Sequence, residues 1–392
     1  MSEGQHFERV LERLDAGQLA LRRRVEDAVA EVSPLGRGLE LDRLKAFDSA
    51  LHDRLALLGV FRLGTPEADG GLGGGPVAQV VVLETLGRLA TSMAVFCIVR
   101  FLVVRMLRSY GSGEQKAAHL AALLAGTAQA AFCLTEIGGG TDILATTQTS
   151  ATRRGDEWIL RGSKVWISGA ASSELLFVVA RTDAHRTKGL SVFLVPTAAR
   201  GVSTERTATV ALNGYETCSV VFEDVVVGAG ALLGAANTGL AQLMSALNGE
   251  RINAAAVVNG IARGALGAAL EHARQRTAFA KPIGQFQAVQ HRLASVAVAI
   301  EMAWLAVLEA ARRDAAGEAT DIVSGLAKWA SSKAALGATD LGMELMGAAG
   351  FLEQGVMQRY FRDARLHVFA PINNDMILNL LGERWLGLPR SF

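Results

Sequence analysis

Cysteine and proline are both scarce in this chain of 392 residues. The three cysteines, Cys97, Cys133 and Cys218, stand far apart, which excludes a disulfide scaffold and a four-cysteine zinc site. Such scattered cysteines fit a reducing compartment, and we expect the protein in the cytoplasm. The seven prolines leave residues 197–281 and 283–370 without one, and long proline-free, alanine-rich stretches favour long helices.

Neither sign of charge dominates, and long apolar runs are missing. The chain carries 39 Lys and Arg residues against 38 Asp and Glu residues, which argues against a general nucleic-acid binder. The most apolar stretch, residues 92–107, contains Arg100 and Arg105 and is too short and too charged to span a membrane. The N-terminal sequence MSEGQHFERVLERLD lacks the apolar segment of a signal peptide. The seven isolated histidines predict no metal site.

Helical periodicity at both ends of the chain encloses a β-rich middle. Apolar residues at three- and four-residue spacing predict helices over residues 7–30, 39–58, 77–88 and 93–107. A glycine-rich break separates the second from the third, at residues 66–76. Alternating β-branched runs such as WILRGSKVWIS and LSVFLVP predict strands in the middle. Long helices are predicted again over residues 251–273, 284–313 and 318–347.

Because the predicted helices and strands are segregated along the chain, we expect an α+β fold and not alternating βαβ units. The boundaries that we predict are an N-terminal helical domain at 1–128, a middle β-domain at 129–230 and a C-terminal helical domain at 231–392.

One glycine-rich segment imitates a dinucleotide-binding motif. VVVGAGALLG, at residues 225–234, has the spacing of a strand followed by a phosphate-binding turn. However, no second parallel strand follows, and the acidic residue about 20 positions later, Glu250, falls in a predicted helix. We therefore interpret this segment as a loop that leaves the β-rich block.

Four sequence blocks, read in order, resemble the acyl-CoA dehydrogenase family. They are PEADGGLGGG with LETLGRLATS, FCLTEIGGGTD with GSKVWISGA, NGERINAAAVVNGIARGALGAALEHARQRTAFAKPIGQFQ, and MELMGAAGF with YFRDAR. Together with GSGEQK they span nearly the whole chain. The resemblance implies an N-terminal helical domain, a middle β-domain, a C-terminal four-helix bundle and FAD as cofactor. It also implies a homodimer or homotetramer, because in the family each flavin site is completed across a subunit interface.

The resemblance assigns flavin contacts to residues in three of these blocks. Thr135 and Thr141 border the glycine-rich loop 138–140, whose hydroxyls and free amides suit a flavin edge and a phosphate. Trp166 and Ser168 lie two apart on a predicted strand, so they share the face that the family turns towards the flavin ring. The other cofactor positions that the resemblance implies are Phe132, Arg276, Phe279, Phe286, Gln287, Glu344, Gly347, Asn373 and Asp375.

Three positions depart from the family pattern. The family's glycine after Phe279 is Ala280 here, and its pair of glycines is Gly347-Ala348. The glutamine usual at the FAD phosphates is Glu344. A carboxylate at that place repels phosphates unless an arginine intervenes or the side chain turns away.

The resemblance implies α,β-dehydrogenation of an acyl thioester, which needs a base for the α-proton. Ungapped counting from Asp363 puts Pro371 at the place of the family's usual catalytic glutamate, so both that carboxylate and its backbone N–H are missing. A subset of the family places its base before the arginine of an E-R pair, which is Glu250-Arg251 here. Glu250 is therefore the predicted base and Asp375 its rival. The alternative role for Glu250 is a helix-start residue that stabilises the helix dipole.

Three functions stay open at this stage. They are a flavin dehydrogenase that uses Glu250, a family member with other flavin chemistry such as oxygen-dependent hydroxylation, and a non-catalytic flavin- or acyl-binding scaffold. Arg100 either faces a polar acyl tail or lies at a helix surface with its stem buried. CoA and a carrier protein present the same thioester arm, and the electron acceptor is open. The substrate residues implied are Thr141, Asn248, Arg251 and Arg100.

Overall fold

The computed structural model describes residues 13–390, so the start of the helix predicted over 7–30 lies outside the described part. The N-terminal helices are α1 (Ala16–Val32), α2 (Leu35–Leu44), α3 (Ser49–Leu57), α4 (Gly75–Leu89), α5 (Thr91–Tyr110) and α6 (Gly113–Ala125). The middle elements are β1 (Ala130–Cys133), α7 (Ile143–Thr146), β2 (Ser150–Arg154), β3 (Glu157–Ser168), β4 (Leu175–Arg181), β5 (Leu190–Pro196), β6 (Val202–Thr207) and β7 (Thr217–Gly228). The C-terminal elements are α8 (Gly239–Gln275), β8 (Thr277–Ala278), β9 (Lys281–Pro282), α9 (Gln287–Ala315), α10 (Asp321–Met346), α11 (Val356–Leu366) and α12 (Asn374–Arg384).

Three of the N-terminal helices, α1, α3 and α6, begin at a residue whose side chain caps the helix. A capping box at the start of α6 joins Ser112 and Gln115, each side chain accepting from the other's backbone N–H. The single helix predicted over 39–58 is wrong: Lys45 adopts a left-handed conformation, with φ of 52°, and ends α2. Asp48 then starts α3 by accepting from the Leu51 N–H at 3.1 Å.

The middle of the chain forms one mixed sheet of seven strands. The path β1-β4-β2-β3-β7-β6 runs through it, with β5 paired to β4. β4 is parallel to β1 and β2 and antiparallel to β5. The predicted run LSVFLVP coincides with β5, whereas β2 and β6 were missed because their side chains are mostly polar and exposed. The segment VVVGAGALLG ends β7 and continues in a short 3-10 helix, which confirms it as a loop leaving the strands.

The C-terminal helices pack on the N-terminal ones through very close backbone contacts. α4 crosses α8 where Gly87 meets Val257 and Gly260 meets Glu84. A Cβ atom at Gly260 would lie 2.1 Å from the Glu84 carbonyl oxygen, and one at Gly87 would lie 2.2 Å from the Val257 carbonyl oxygen. Because only glycine permits this approach, the two halves of the helical core are fixed against each other.

The apolar helix α9 is the one helix in residues 13–390 that is long and apolar enough to cross a membrane by length and composition. The face that carries Ile300, Ala303 and Trp304 is buried in the same hydrophobic core as α4 and α8. Burial of that face is expected of a helix in a protein core. The whole arrangement confirms the α+β fold, with helices on both sides of a β-rich middle in the chain.

Candidate active site

Trp166 lies at an irregularity in β3, where the pairing with β7 shifts between Lys164 and Ile167. Its φ is 61°, an uncommon conformation for a residue other than glycine, and 59% of its surface is exposed. Strained backbone of this kind clusters at functional sites, since the surrounding structure must hold it. The irregularity in β3 therefore turns the Trp166 side chain away from the core, which makes it a candidate for binding a ligand.

The structure brings the predicted flavin residues of the middle region together at one end of the sheet. The Val165 N–H donates to the Thr135 carbonyl oxygen at 2.9 Å, which places the end of β1 beside Trp166. Phe132 lies on β1, and Ser168 ends β3. Thr141 is exposed in the glycine-rich loop that follows β1. This end of the sheet thus presents an aromatic face bordered by hydroxyl groups.

A second cluster of predicted cofactor residues surrounds the hairpin β8–β9. Phe279 and Ala280 form its turn with φ of 52° and 64°, and the Phe279 side chain is 91% exposed. The Phe279 and Phe286 rings meet edge to face, with their centroids 6.2 Å apart. Arg276 follows α8, and Gln287 opens α9; both are exposed. Four cofactor residues implied by the resemblance therefore share one exposed corner.

Glu344, the carboxylate at an expected phosphate position, has a cationic partner. The Arg292 guanidinium on α9 donates to it across the gap to α10, in a half-exposed ion pair. Arg292 is therefore the arginine that can offset the repulsion expected between Glu344 and the FAD phosphates. Gly347 ends α10 with a positive φ, Asn373 caps α12, and Asp375 is exposed in the first turn of α12.

Glu250 lies about three turns inside α8, because that helix begins at Gly239 and not at Glu250. The alternative of a helix-start glutamate is therefore wrong. Glu250 lines a cavity of about 200 Å³ between α4, α5, α8 and the end of α9. Burial raises the pKa of Glu250 to about 7, and the nearby charge of Arg251 opposes that rise only in part.

The cavity beside Glu250 is polar and contains an ion pair that the sequence analysis did not identify. Arg105 on α5 donates two hydrogen bonds to the Asp314 carboxylate, from Nη1 to Oδ2 at 2.7 Å and from Nη2 to Oδ1 at 2.8 Å. The guanidinium lies against Gly249, where a Cβ atom would come within 2.4 Å of Arg105 Nη1. The sequence held one sign of this contact: a glycine, Gly249, precedes Glu250 and leaves room for a neighbouring side chain. The other polar lining residues are Thr65, Gln79, Arg108, Ser109 and Asn253.

Arg100 does not reach this cavity, and both expectations for it need correction. It is 3% exposed, so it does not lie at a helix surface. Its guanidinium donates to the carbonyl oxygens of Leu123 and Ala128 at the end of α6, and it packs over the rings of Phe61 and Phe96. These contacts satisfy the carbonyls at a helix terminus, which is a structural role.

The loop that carries Pro371 is held from beneath by α10. Lys328 is buried and donates its Nζ to the Ile372 carbonyl oxygen at 2.8 Å and to Asn374 Oδ1 at 2.7 Å. Burial lowers the pKa of Lys328 to about 7. One turn later, the Ser332 hydroxyl donates to the His367 carbonyl oxygen at 2.9 Å. Sequence reasoning missed Lys328, since a lysine within an alanine-rich helix resembles a surface residue.

Comparison with known proteins identifies what this arrangement is similar to. Three family models match consecutive parts of the chain. They are the N-terminal domain of acyl-CoA dehydrogenase over residues 15–127, its middle domain over 131–225 and its C-terminal domain over 237–386.

Full-length relatives agree with the domain matches. Acyl-CoA dehydrogenase FadE12 of Mycobacterium tuberculosis is 32% identical over 381 residues, which cover 95% of this chain and 97% of that protein. Butyryl-CoA dehydrogenase from Megasphaera elsdenii has a similar structure, with a TM-score of 0.92, 29% identity and coverage of 96% and 99%. A glutaryl-CoA dehydrogenase from Mycobacterium smegmatis, solved in complex with FADH2, gives a TM-score of 0.90, 25% identity and coverage of 97% and 96%.

Proposed function

This chain belongs to the acyl-CoA dehydrogenase family, and we propose that it dehydrogenates an acyl-CoA between the α- and β-carbons, with FAD as cofactor and Glu250 as base. The observation that carries the proposal is the position of the Glu250 carboxyl group on the wall of a cavity, where burial raises its pKa to about 7. The relatives named above are dehydrogenases, so oxygen-dependent hydroxylation and a non-catalytic scaffold are not favoured.

FAD is the cofactor of this family, and the residues present here fit it. Trp166 and Phe279 each expose more than half of their surface from backbone with positive φ, and exposed aromatic rings can stack on the flat rings of FAD. Trp166 and Ser168 would hold the flavin ring, with Thr135 at its edge. Bound there, FAD would supply the acceptor for the hydride from the β-carbon. Arg276 supplies a positive charge for the pyrophosphate.

We place the remaining residues of the resemblance in the same site. Phe132 lies on β1 behind the flavin face. The hairpin cluster would serve the adenosine half of an FAD bound mainly by a neighbouring subunit, so the proposal includes a homodimer or homotetramer. The other residues assigned to this cofactor are Thr141, Phe279, Phe286, Gln287, Glu344, Gly347, Asn373 and Asp375.

Glu250 carries out the proton transfer in this proposal. An ordinary glutamate is a weak base at neutral pH, and desolvation on α8 brings Glu250 to the range in which proton abstraction is efficient. Asp375, the rival, is exposed in the first turn of α12 and is not among the residues that line the cavity beside Glu250. Thr141, Asn248 and Arg251 stay on the substrate side, and Arg100 leaves the site because its donors serve α6.

Acyl-CoA is the substrate class that the relatives' names support, and the cytoplasm is the compartment that we propose. CoA and a carrier protein present the acyl group on the same thioester arm, so the experiment below tests both carriers. The cavity beside Glu250 is small and polar, which favours a short acyl group over a long aliphatic one.

An anaerobic reduction experiment tests the function. The FAD-loaded protein is mixed without oxygen with acyl-CoAs of increasing length and with matching acyl-carrier proteins, and bleaching of the flavin absorbance is followed. We expect bleaching with at least one acyl thioester, and at least about a hundredfold slower bleaching in Glu250→Gln, since general bases contribute 10²–10⁴-fold.

The comparison variant for the rival base is Asp375→Asn, which removes the exposed carboxylate in the first turn of α12. Because Asp375 is also assigned to the FAD site, the variants are compared at full FAD occupancy, where Asp375→Asn should keep most of the wild-type bleaching rate. Normal bleaching in Glu250→Gln together with slow bleaching in Asp375→Asn would transfer the base to the C-terminal loop. No bleaching with any thioester, despite bound FAD, would refute the dehydrogenase function.

A further inference from the structure

Removal of an α-proton leaves negative charge on the thioester oxygen, and this chain lacks one expected donor for it. Hydrogen-bond donors aimed at such an oxygen are usually worth a factor of about 10²–10³ in rate. The loop position that the resemblance assigns to a donor is Pro371, which has no N–H. Lys328 lies beneath this loop, but its Nζ already donates to Ile372 and Asn374. Another donor must therefore serve the oxygen.

Arg251 has free donors in the right neighbourhood. It is 4% exposed, and its Nε and Nη1 atoms are buried without a hydrogen-bond partner in the described part of the chain. Asn248, one turn earlier on the same face of α8, has a buried side-chain oxygen in the same situation. Buried polar atoms without a hydrogen-bond partner are costly, so the two guanidinium nitrogens of Arg251 and the amide oxygen of Asn248 point to a ligand that supplies their partners.

The surroundings of Arg251 connect the base to the loop of Pro371. Its charge interacts with Glu250, with Asp321 at the start of α10 and with Arg384 at the end of α12. Asp321 and Arg384 form an ion pair at 3.0 Å that joins these two helices. α10 also supplies Lys328, which holds the loop before α12. Arg251 therefore faces the unit that carries the Pro371 loop, whereas Glu250, about 100° further around α8, lines the cavity.

We propose that Arg251 donates a guanidinium hydrogen bond to the thioester carbonyl oxygen of the substrate and replaces the backbone donor that Pro371 lacks. This inference rests on the proposed function. The Glu250 carboxylate takes the α-proton, the C–H electron pair moves into the bond between the α-carbon and the carbonyl carbon, and the oxygen gains the charge. Arg251 lies beside that oxygen as a cation and stabilises the charge more strongly than a neutral amide does.

The test uses 3,3-dimethylbutanoyl-CoA labelled with ¹³C at the carbonyl. Its α-carbon carries protons, but its β-carbon carries none, so it exchanges protons and is never dehydrogenated. Exchange in D2O and the carbonyl stretching frequency of the bound thioester are measured on the FAD-loaded enzyme. We expect a carbonyl band shifted to lower frequency in the wild type, a band near the free value in Arg251→Met, and about hundredfold slower exchange in that variant.

Two further variants make the result specific. Arg251→Lys retains a cation, so it should recover part of the band shift even if Arg251→Met folds poorly. Pro371→Ala restores a backbone N–H, so loss of Arg251 should slow exchange by a smaller factor in that background. An unshifted carbonyl band in the wild type, an unchanged band in Arg251→Met, or equal losses in both backgrounds would overturn the proposal.

Glu250→Gln separates this inference from the proposed function. If Glu250 is the base, that variant stops exchange but keeps the shifted carbonyl band, because Arg251 is intact. Exchange that persists in Glu250→Gln while the band still depends on Arg251 would refute the base and support the donor. No exchange and no shifted band in the wild type would refute both.

Discussion

Lys164 and Glu136 form a buried ion pair at the end of the sheet that carries Trp166, with Lys164 Nζ 2.8 Å from Glu136 Oε1. Lys164 also donates to the Leu134 carbonyl oxygen at 2.9 Å. Glu136 accepts from the backbone N–H groups of Gln148 and Thr149 at 2.7 and 3.0 Å. Burial alone would raise the pKa of Glu136, but Lys164 and these donors outweigh it and hold that pKa below its usual value. One charge pair therefore ties β1, the glycine-rich loop and β3 together.

We predict that Lys164→Met destabilises the fold by about 3–5 kcal/mol, because it leaves the Glu136 carboxylate buried without its cation. Denaturant unfolding of the FAD-free protein measures the loss. The double variant Lys164→Met with Glu136→Gln should recover part of it, since no isolated charge remains. The control is Arg161→Met, which breaks an exposed pair with Asp224 and should cost at most about 1 kcal/mol. An equal loss of unfolding free energy in Lys164→Met and Arg161→Met would contradict the prediction.

The sequence predicts the elements well where one physical signal dominates. β5 was found at its observed bounds because six of its seven residues are apolar and six are buried. β6 was missed because it lies at the edge of the sheet and its exposed polar residues leave no clear alternation. The break at Lys45 was missed because a lysine in the left-handed conformation gives no signal in the composition.

We predict that Ala280→Gly stabilises the hairpin β8–β9 by about 1 kcal/mol. Phe279 and Ala280 both have positive φ in a two-residue turn, which glycine accepts and alanine resists. Slower hydrogen exchange at the Ala278 and Lys281 amides measures the effect locally. Gly317→Ala is the reverse control: that glycine has φ of 71° and open space around it, so alanine there should destabilise. Faster exchange in Ala280→Gly would show that the turn is unstrained.

We predict that Arg292→Met weakens FAD binding by about tenfold, or about 1.4 kcal/mol, because it exposes the phosphates to an uncompensated Glu344. Glu344→Gln removes the repulsive carboxylate and should bind FAD at least as tightly as the wild type. Titration of the FAD-free protein, followed by flavin fluorescence, measures both. The ion pair is half-exposed, so the free energy of unfolding without FAD should change by less than about 1 kcal/mol. Unchanged FAD affinity in Arg292→Met would place the phosphates elsewhere.

The candidate site shows which parts of a function the sequence carries. Trp166 and Glu250 could be proposed as site residues from the sequence because each lies in a short motif that the resemblance covers. Arg105, Lys328 and Arg292 were missed because their partners lie 209, 44 and 52 residues away in the chain. Contacts between charged or polar groups so far apart in the chain depend on how the helices pack, and a short sequence motif does not show them.

The raised pKa of Glu250 predicts a conflict between function and stability. The pKa is about 7 in the folded protein and 4.5 for an ordinary glutamate, so the folded state binds the proton more tightly. The stability that this proton provides is present below about pH 4.5 and is lost as the pH rises through about 7. Glu250→Gln, which is neutral throughout, should therefore be more stable than the wild type at pH 8, by on the order of 2 kcal/mol, and no more stable near pH 4.

Urea unfolding of the FAD-free protein at pH 4, 6 and 8 measures this difference, with Asp375→Asn as the matched control. Asp375 is exposed at the start of α12, where its negative charge favours the helix, so its loss should give no gain at pH 8. The α-proton exchange rate of the wild type should rise over the same interval, because only the deprotonated Glu250 accepts a proton. A stability gain in Glu250→Gln that is constant from pH 4 to pH 8 would mean that this carboxyl group titrates normally, and the evidence for Glu250 as a tuned base would then be lost.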